Sequence, residues 1–277
     1  MGSPSLRYAL YVGGNDETLS TKEHEKLQHQ LELLGYTLIY IEIDWRNTTI
    51  SRWVQQVLSE ARKHAPGTFA LVGFSFGAMT MAIAASILCA EHHDPAVVVL
   101  ASLSGYFAED LDQRFAEGYL TDRPAELLAD LARYPFAKVK IPERVPIALI
   151  AGEEDHHTVI ESVARARATF RHAMDESVPG AHHSIDIMMF AQTVAWYADE
   201  LARLSWKVFT DPTGGGGEVE IRRTEDGYDF RTTENRAAVR HLSPHGWRMF
   251  RDALEADPDA TVIRIHHHPL EEGRETG

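Results

Sequence analysis

The chain has 277 residues, of which 44% are hydrophobic and 25% charged, which is typical of one large globular domain with room for a small second one. Its formal net charge of −14 argues against a general nucleic-acid binder or a protein that binds anionic membranes, because both need basic surface. The single cysteine, Cys89, excludes an intrachain disulfide, and its apolar helical run favours a buried structural thiol. No apolar run reaches the ~18 residues of a membrane-spanning helix or has the form of a signal segment, so we expect a cytoplasmic protein.

Six short apolar runs predict the strands of one sheet. They are RYALYVGG (7–14), TLIYIEI (37–43), TFALVGF (68–74), AVVVLASLSG (96–105), VPIALIAG (145–152) and, more weakly, HAMDESV (172–178). The runs are almost continuously apolar, which is typical of parallel strands that helices cover on both faces. Amphipathic segments separate the runs, and this alternation predicts an α/β fold with a doubly wound, mostly parallel six-stranded sheet.

Three of the separating segments carry clear helix signals. Segment 20–35 offers a Ser20–Glu23 capping box at its start and Gly35 as its stop. Segments 48–64 and 184–204 each have an apolar stripe at helical spacing, which predicts helices packed on the sheet.

The segment 105–144 breaks the alternation, because it is longer than the usual connection between elements. It predicts one or two helices. It is rich in aromatic side chains, namely Tyr106, Phe107, Phe115, Tyr119, Tyr134 and Phe136. Two interpretations are equally open: a helix hairpin packed on the core, or a small helical lid over a pocket.

After residue 204 the composition changes, and we predict a small β-rich domain over 205–265 that follows a main domain over 1–204. A run of four glycines precedes a hairpin pattern whose turn signal is Asp226–Gly227. A short helix (243–256) and a last strand (261–265) complete this prediction. We expect the polar tail, 266–277, to be disordered.

The motif GFSFG puts Ser75 between Gly73 and Gly77, at the junction of a predicted strand and a predicted helix. A serine hydroxyl is a weak nucleophile unless a base lies within hydrogen-bond reach and a carboxylate orients that base. A sharp strand-to-helix turn exposes such a serine above the sheet edge, and only residues almost without side chains fit two positions before and after it. The motif alone recurs by chance, so it indicates a catalytic serine only if a base and an acid are found where the fold would bring them to Ser75.

An acid and a histidine follow on the loops where those partners are needed. Asp155 lies in EEDHHT, directly after the strand 145–152, and Glu153 and Glu154 are weaker candidates for the same role. His182 and His183 lie in the loop before the last helix of the main domain. The carboxyl ends of parallel strands meet at one edge of a sheet, so the order serine, acid, histidine predicts a catalytic triad.

Over about residues 6–204 the chain resembles the α/β-hydrolase superfamily, in particular its small carboxylesterases and thioesterases. The resemblance depends on four short motifs, GFSFG, LSGYF, AGEED and PGAHHS. The resemblance implies that Ser75 is the nucleophile, Asp155 the orienting acid and His183 the general base. His183 is preferred to His182 because family members usually have Gly-x-Gly-His, in which the last residue is the base.

The resemblance also implies an oxyanion hole and an acyl pocket. The backbone N–H of Phe76 would be one oxyanion donor, and Gly14 or Asn15 the other, although VGGNDET lacks the His-Gly that is common in this loop. Phe74, Tyr106 and Phe107 are the predicted pocket residues. The bulky Phe74 and Phe76 beside the serine indicate an apolar acyl site or, equally, wall packing.

The fifteen histidines raise the question of a metal site. Adjacent histidines on one element point in different directions and rarely chelate one ion, so we expect neither a metal nor another cofactor. The C-terminal segment is similar to a family of short bacterial domains of unknown function, which implies a protein-interaction role. A dimerisation or packing module is the alternative that we prefer.

These observations predict a serine hydrolase that acts on a small-molecule ester or thioester, with neither nucleic acid nor a membrane as its partner. A homodimer or a protein partner would bind through the C-terminal domain. Two rival functions stay open. The same scaffold could perform an elimination, a cyclisation or an acyl transfer, or the chain could be a non-catalytic binding or regulatory protein.

Overall fold

The computed structural model describes residues 7–18, 20–116 and 124–204, and four strands beyond them at 207–209, 219–224, 227–232 and 235–242. The chain divides into two compact units, residues 1–207 and 208–277.

A six-stranded sheet forms the centre of the first unit. Its strands are β1 (Arg7–Val12), β2 (Tyr36–Tyr40), β3 (Phe69–Phe74), β4 (Val97–Ala101), β5 (Ile147–Gly152) and β6 (Met174–Val178). They lie in the order β2-β1-β3-β4-β5-β6, and every neighbouring pair is parallel. The predicted doubly wound sheet is confirmed. Several strands end earlier than their apolar runs, because the last apolar residues turn into the loops at the carboxyl edge.

Helices cover both faces of this sheet. Their bounds are α1 (Glu25–Leu33), α2 (Ile50–Ala61), α3 (Phe76–Ala90), α4 (Leu111–Ala116), α5 (Ala125–Leu131), α6 (His157–Thr169) and α7 (Met188–Leu204). Helices α2, α3 and α6 contribute to the core on one face, and α1 and α7 to the core on the other. Residues alternate between the two cores along each strand: in β1, Ala9 and Tyr11 join one core, and Leu10 and Val12 join the other.

The predicted capping box at the start of α1 is wrong. The helix begins at Glu25, and the residue before it, His24, has helical backbone angles and makes no side-chain cap. The Glu23 side chain, which the box needed, instead lies within hydrogen-bonding reach of the Glu17 carboxyl. A tertiary neighbour has therefore replaced the local partner that the sequence pattern indicated.

The described part of the segment 105–144 packs on the core as a set of short helices. Two 3₁₀ turns, Ala108–Asp110 and Phe136–Lys138, accompany α4 and α5. Phe136 lies between the rings of Phe107 and Phe170, with centroid distances of 4.8 and 5.7 Å. These contacts hold Phe107 and Phe136 against the core, whereas Tyr119 lies outside the described residues, and the choice between hairpin and lid stays open.

The second unit contains a four-stranded sheet in the order β10-β9-β8-β7. Its strands are β7 (Lys207–Phe209), β8 (Val219–Thr224), β9 (Gly227–Thr232) and β10 (Asn235–Leu242). Strand β9 is antiparallel to both β8 and β10. Four parts of the prediction lie outside the described residues: the glycine run, the helix 243–256, the strand 261–265 and the tail. That this region binds a second copy or a protein partner stays a prediction. None of the helices that the structure describes has the length and hydropathy needed to cross a bilayer.

Candidate active site

Ser75 lies in a strained turn between β3 and α3. Its backbone angles are φ 55° and ψ −118°, in a region that residues with side chains rarely adopt, and the residue is buried. A Cβ atom on Gly73 would come within 2.5 Å of the Gly77 carbonyl oxygen. A Cβ atom on Gly77 would overlap the Val12 carbonyl oxygen. The two glycines are therefore required, because the turn leaves no room for side chains at these positions.

Ser75, His183 and Asp155 form one continuous chain of hydrogen bonds. The His183 ring contacts Ser75 Oγ through Nε2 at 2.9 Å and Asp155 Oδ1 through Nδ1 at 2.7 Å. A carboxylate accepts only, so we assign the ring proton to Nδ1, which leaves Nε2 free to accept the proton of Ser75. This arrangement can deprotonate the serine hydroxyl while the carboxylate stabilises the imidazolium that results.

The alternative residues lie outside this chain of hydrogen bonds. His182 is exposed, and it does not line the cavity beside Ser75. Glu153 and Glu154 are exposed as well, and the Glu153 carboxylate accepts a hydrogen bond from the Gly180 N–H. Of the acids and histidines considered from sequence, the structure brings only Asp155 and His183 to Ser75.

Several donors hold the Asp155 carboxylate in its ionised form. Ser102 Oγ donates to Oδ2 at 2.5 Å, and the His156 N–H donates to Oδ1 at 2.8 Å, in addition to His183. Burial alone raises the pKa of Asp155, but the hydrogen bonds from His183 and Ser102 outweigh it and hold that pKa below its usual value. Asp155 is thus ready to orient and stabilise a charged imidazole near neutral pH.

Two serines of this site were not predicted from the sequence. Ser102 directly follows β4, is fully buried and has a positive φ of 47°. Ser104 Oγ lies 3.0 Å from Ser75 Oγ. Both lie in the stretch ASLSG (101–105), and their position directly after a central strand was the available signal.

A cavity of about 380 Å³ opens beside Ser75. Phe74, Phe76 and Tyr106 line it, together with Gly14 and Asn15. The Phe76 ring packs on Tyr106 with centroids 4.4 Å apart, and the Phe74 ring lies 5.0 Å from the His183 ring. One wall is therefore aromatic. Tyr106 is the one described residue of the segment 105–144 that lines the cavity.

The predicted pocket residue Phe107 does not line the cavity. Its side chain is fully buried in the core, where Phe136 contacts it and the Arg165 guanidinium lies 5.7 Å from the ring centroid. Tyr106 and Phe107 are neighbours in the chain, and consecutive side chains in an extended loop point to opposite sides. Only one of the two could face the cavity.

The comparisons with known proteins give structural matches alone. No protein-family model matches the chain, and no curated protein does. Alpha/beta hydrolase domain-containing protein 10 from mouse matches with a TM-score of 0.55 and 13% identity, over 70% of this chain and 88% of that one. The chain has the α/β-hydrolase fold.

Two further structures with this fold match over similar lengths. The esterase domain of a Rhodothermus marinus protein has a TM-score of 0.56 and 16% identity, over 73% of this chain and 88% of its own. A monoacylglycerol lipase from Paleococcus ferrophilus has a TM-score of 0.55 and 16% identity, over 72% of this chain and 96% of its own. These matches cover 72% and 73% of the chain, which is close to the length of the first unit, residues 1–207. The α/β-hydrolase fold therefore corresponds to this unit.

In this α/β-hydrolase fold, the loop after β1 and the start of α3 face the same cavity. Phe76 is the first residue of α3, so its N–H has no intrahelical acceptor and carries part of the positive end of the helix dipole. Gly14 and Asn15 line the cavity, and the Gly14 backbone hydrogen-bonds the Glu17 carboxyl. The Gly14 backbone therefore already has a hydrogen-bond partner within the protein.

Glu17 is a buried carboxyl group in the cavity wall, and it was not predicted from the sequence. Tyr11 donates to its Oε2 at 3.4 Å. Burial, together with the neighbouring Glu23 carboxyl, raises the pKa of Glu17 to about 7. No sequence signal separates this residue from the many other acids of the chain.

Within the residues that the structure describes, no three histidine, cysteine, aspartate or glutamate side chains lie close enough to hold a metal ion. Cys89 is buried as expected, and burial raises the pKa of its thiol well above the usual value.

Proposed function

We propose that the protein is a serine hydrolase that cleaves an ester or thioester, with Ser75 as nucleophile, His183 as general base and Asp155 as the acid that orients it. The observation that carries the proposal is the unbroken chain of hydrogen bonds, 2.9 Å from Ser75 to His183 and 2.7 Å from His183 to Asp155. It begins at a serine whose strained turn leaves the hydroxyl facing a cavity.

The first half-reaction acylates the serine. Ser75 Oγ attacks the carbonyl carbon while His183 Nε2 takes the hydroxyl proton, and the Asp155 carboxylate stabilises the imidazolium. The carbonyl oxygen becomes an oxyanion that accepts hydrogen bonds from the N–H groups of Phe76 and of Asn15 or Gly14. The C–O or C–S bond then breaks, and the leaving group takes the proton from Nε2.

The second half-reaction releases the acid product. A water molecule gives one proton to His183 Nε2 and attacks the acyl carbon, which forms a second oxyanion in the same position. Collapse of this intermediate breaks the bond to Ser75 Oγ, and the proton on Nε2 returns to that oxygen. The net reaction consumes one ester or thioester and one water.

The structural matches support ester hydrolysis as the reaction class. An esterase domain and a monoacylglycerol lipase share the fold at TM-scores of 0.56 and 0.55. The aromatic side chains of Phe74, Phe76 and Tyr106 support an acyl group that is at least partly apolar.

The test is turnover of p-nitrophenyl esters from acetyl to octanoyl by the full chain and by Ser75→Ala. We expect Ser75→Ala to lower kcat/KM by at least about a thousandfold, because the nucleophile is lost. Ser86→Ala is the matched control, since the Ser86 hydroxyl accepts a hydrogen bond from the Lys140 N–H far from the cavity.

A fluorophosphonate probe and product analysis complete this test. The probe should add its mass to the peptide that contains Ser75 in the wild-type protein and not in Ser75→Ala. Mass spectrometry of the products in the presence of an added alcohol separates hydrolysis from acyl transfer. Absence of both turnover and labelling would contradict the proposal and favour a non-catalytic protein.

A further inference from the structure

A second buried hydroxyl group contacts the nucleophile. Ser104 lies in the loop after β4, is buried and lines the cavity beside Ser75. Its Oγ is 3.0 Å from Ser75 Oγ. Within the part of the chain that the structure describes, Ser75 is the one hydrogen-bond partner of the Ser104 side chain. The catalytic steps assigned above to Ser75, His183 and Asp155 do not use this hydroxyl.

Backbone contacts hold the two hydroxyl groups side by side. The Ser75 N–H donates to the Ala101 carbonyl at 2.9 Å, and the Ser104 N–H lies 3.4 Å from the Ser75 carbonyl oxygen, to which it donates. The loop is also anchored after Ser104, because Arg114 Nε donates to the Gly105 carbonyl at 2.9 Å. The Ser104 hydroxyl is therefore in place before a substrate binds, and a preorganised donor needs little reorganisation during the reaction.

The available protons decide which of the two serines donates. A hydroxyl group has one proton and two lone pairs. His183 Nδ1 donates to the Asp155 carboxylate, so Nε2 is an acceptor and takes the Ser75 proton. Only lone pairs of Ser75 Oγ then remain for Ser104, and Ser104 must be the donor. An O–H donor thus faces the oxygen atom whose bond to the acyl carbon forms and breaks.

The strength of this hydrogen bond changes along the reaction, because the charge on Ser75 Oγ changes. A hydrogen bond to a charged acceptor is roughly twice as strong as a bond between neutral groups. In the acyl-enzyme, Oγ is the bridging oxygen of an ester, whose lone pair is delocalised into the carbonyl, so it is a weak acceptor. Delocalisation ends when water attacks, and Oγ gains negative charge as it leaves the acyl carbon. The bond from Ser104 therefore strengthens most during deacylation.

We propose that Ser104 is a catalytic residue of the second half-reaction, in which its hydroxyl donates to Ser75 Oγ while the bond between Oγ and the acyl carbon breaks. The inference rests on the proposed function and deepens it by assigning a residue to one step. The electron pair of the broken bond goes to Oγ, the proton on His183 Nε2 moves to Oγ, and Ser104 keeps its own proton. Acylation gains less, because the Ser75 hydroxyl of the free enzyme already accepts this bond.

The kinetic test measures acylation and deacylation separately in the wild type and in Ser104→Ala. For p-nitrophenyl butyrate, kcat/KM reports acylation. The acyl-enzyme is detected as added mass on the intact protein after an acid quench, and its decay after dilution of the substrate gives the deacylation rate. We expect Ser104→Ala to slow deacylation by about tenfold or more, because a charge-assisted hydrogen bond is lost.

The other kinetic constants of Ser104→Ala should change in a characteristic way. We expect kcat/KM to change by less than about threefold, whereas kcat and KM fall together once deacylation limits turnover. The rate of fluorophosphonate labelling, which needs attack by Ser75 but no deacylation, should also stay within about threefold of the wild type. Labelling at this rate shows that the variant is folded and that Ser75 is still activated.

Two further substitutions at this position and one elsewhere control the measurement. Ser104→Thr keeps a hydroxyl donor and should keep the deacylation rate close to that of the wild type. Ser104→Cys has only a weak S–H donor, so it should slow deacylation, and it tests the proposal even if Ser104→Ala does not fold. Ser86→Ala removes a hydroxyl that accepts from the Lys140 N–H away from the cavity, and should change neither rate.

The possible outcomes separate this inference from the proposed function. Equal deacylation rates in the wild type, Ser104→Ala and Ser104→Cys would overturn the role of Ser104 while ester hydrolysis by Ser75 stands. An equal fall in labelling and in deacylation would overturn it too, because Ser104 would then only position Ser75. If the wild type forms no acyl-enzyme and is not labelled, the proposed function fails, and the role of Ser104 fails with it.

Discussion

Asp155 and Glu17 are two buried carboxyl groups of one site, and their charges differ. Asp155 is 7% exposed and Glu17 is 8% exposed, so burial does not separate them. Three side-chain and backbone donors within 2.8 Å keep the pKa of Asp155 below its usual value. Burial raises the pKa of Glu17 to about 7, and a second carboxyl beside it, Glu23, adds to the rise where Asp155 has donors instead. The donors around a buried acid, and not its depth, decide its charge.

This difference gives the two sides of the site separate chemical tasks. The side of Asp155 is complete within the protein, since each oxygen of its carboxylate has a donor. The side of Glu17 is incomplete, because its donors, the Tyr11 hydroxyl and the Gly14 backbone, do not offset the effect of burial and of the neighbouring Glu23 carboxyl. We infer that the first side orients the reacting groups, whereas the second holds a carboxyl group whose charge changes near neutral pH.

The largest effect is expected from Asp155→Asn, which removes the charge from the complete side. The amide can donate to Nδ1 and so favour the wrong tautomer of His183, which would lower kcat by about ten-thousandfold. Ester turnover and the rate of fluorophosphonate labelling measure this loss. Asp94→Asn is the control, because Asp94 pairs with Arg144 away from the cavity. A loss below about tenfold would contradict the role of Asp155.

A smaller effect, on stability, is expected from Glu17→Gln on the incomplete side. The pKa of Glu17 in the folded protein is about 7, above its ordinary value of 4.5, so the folded state binds the proton more tightly than the unfolded chain. The free energy of unfolding of the wild type should therefore decrease by about 2–3 kcal/mol, relative to Glu17→Gln, as the pH rises from about 4.5 to above 7.

Urea denaturation at a series of pH values measures this difference. Glu25→Gln should give a curve parallel to that of the wild type, because the Glu25 side chain is exposed. Parallel curves for the wild type and Glu17→Gln would show that Glu17 is ionised in the folded protein at neutral pH, which would remove the contrast with Asp155.

The smallest effect is expected from Ser102→Ala, which removes one donor from Asp155. The hydroxyl donates at 2.5 Å and lowers the pKa of Asp155, so its loss should raise that pKa. Because Asp155 acts in its ionised form, activity should then disappear at a higher pH on the acid side. We expect kcat to fall by about tenfold.

The pH dependence of kcat distinguishes positioning of Asp155 from general damage. Ser102 does not line the cavity, so KM should change little. Ser86→Ala again serves as the control. If the acid limb of the pH profile of kcat is unchanged and KM is raised, the role assigned to Ser102 is contradicted.

The sheet and the reacting residues were predictable because their signals are local. Continuous apolar runs gave the strands, and two glycines around Ser75 indicated a turn that excludes side chains. The order of strands then brought Asp155 and His183 to one edge. These predictions needed only the spacing of residues along the chain.

The remaining features depend on tertiary neighbours and left no comparable signal. Ser102 is defined by its contact with Asp155, on another loop, and Glu17 by a second carboxyl and by two tyrosines. The same dependence made the capping box wrong, since Glu23 interacts with Glu17. Phe107 was assigned to the pocket because sequence does not decide which of two adjacent aromatics faces the core.

Gly77 sits directly on the carbonyl oxygens of Val12 and Gly13, with no side chain between the two segments. The distance between Ser75 and the loop that carries Asn15 is consequently set by backbone atoms in contact, and not by side chains. Exchanging the aromatic or acidic lining would alter what fits without lengthening that separation. In the proposed mechanism, changes of side chain can therefore alter which acyl groups fit, while the main chain keeps the distance between Ser75 and the proposed oxyanion donors.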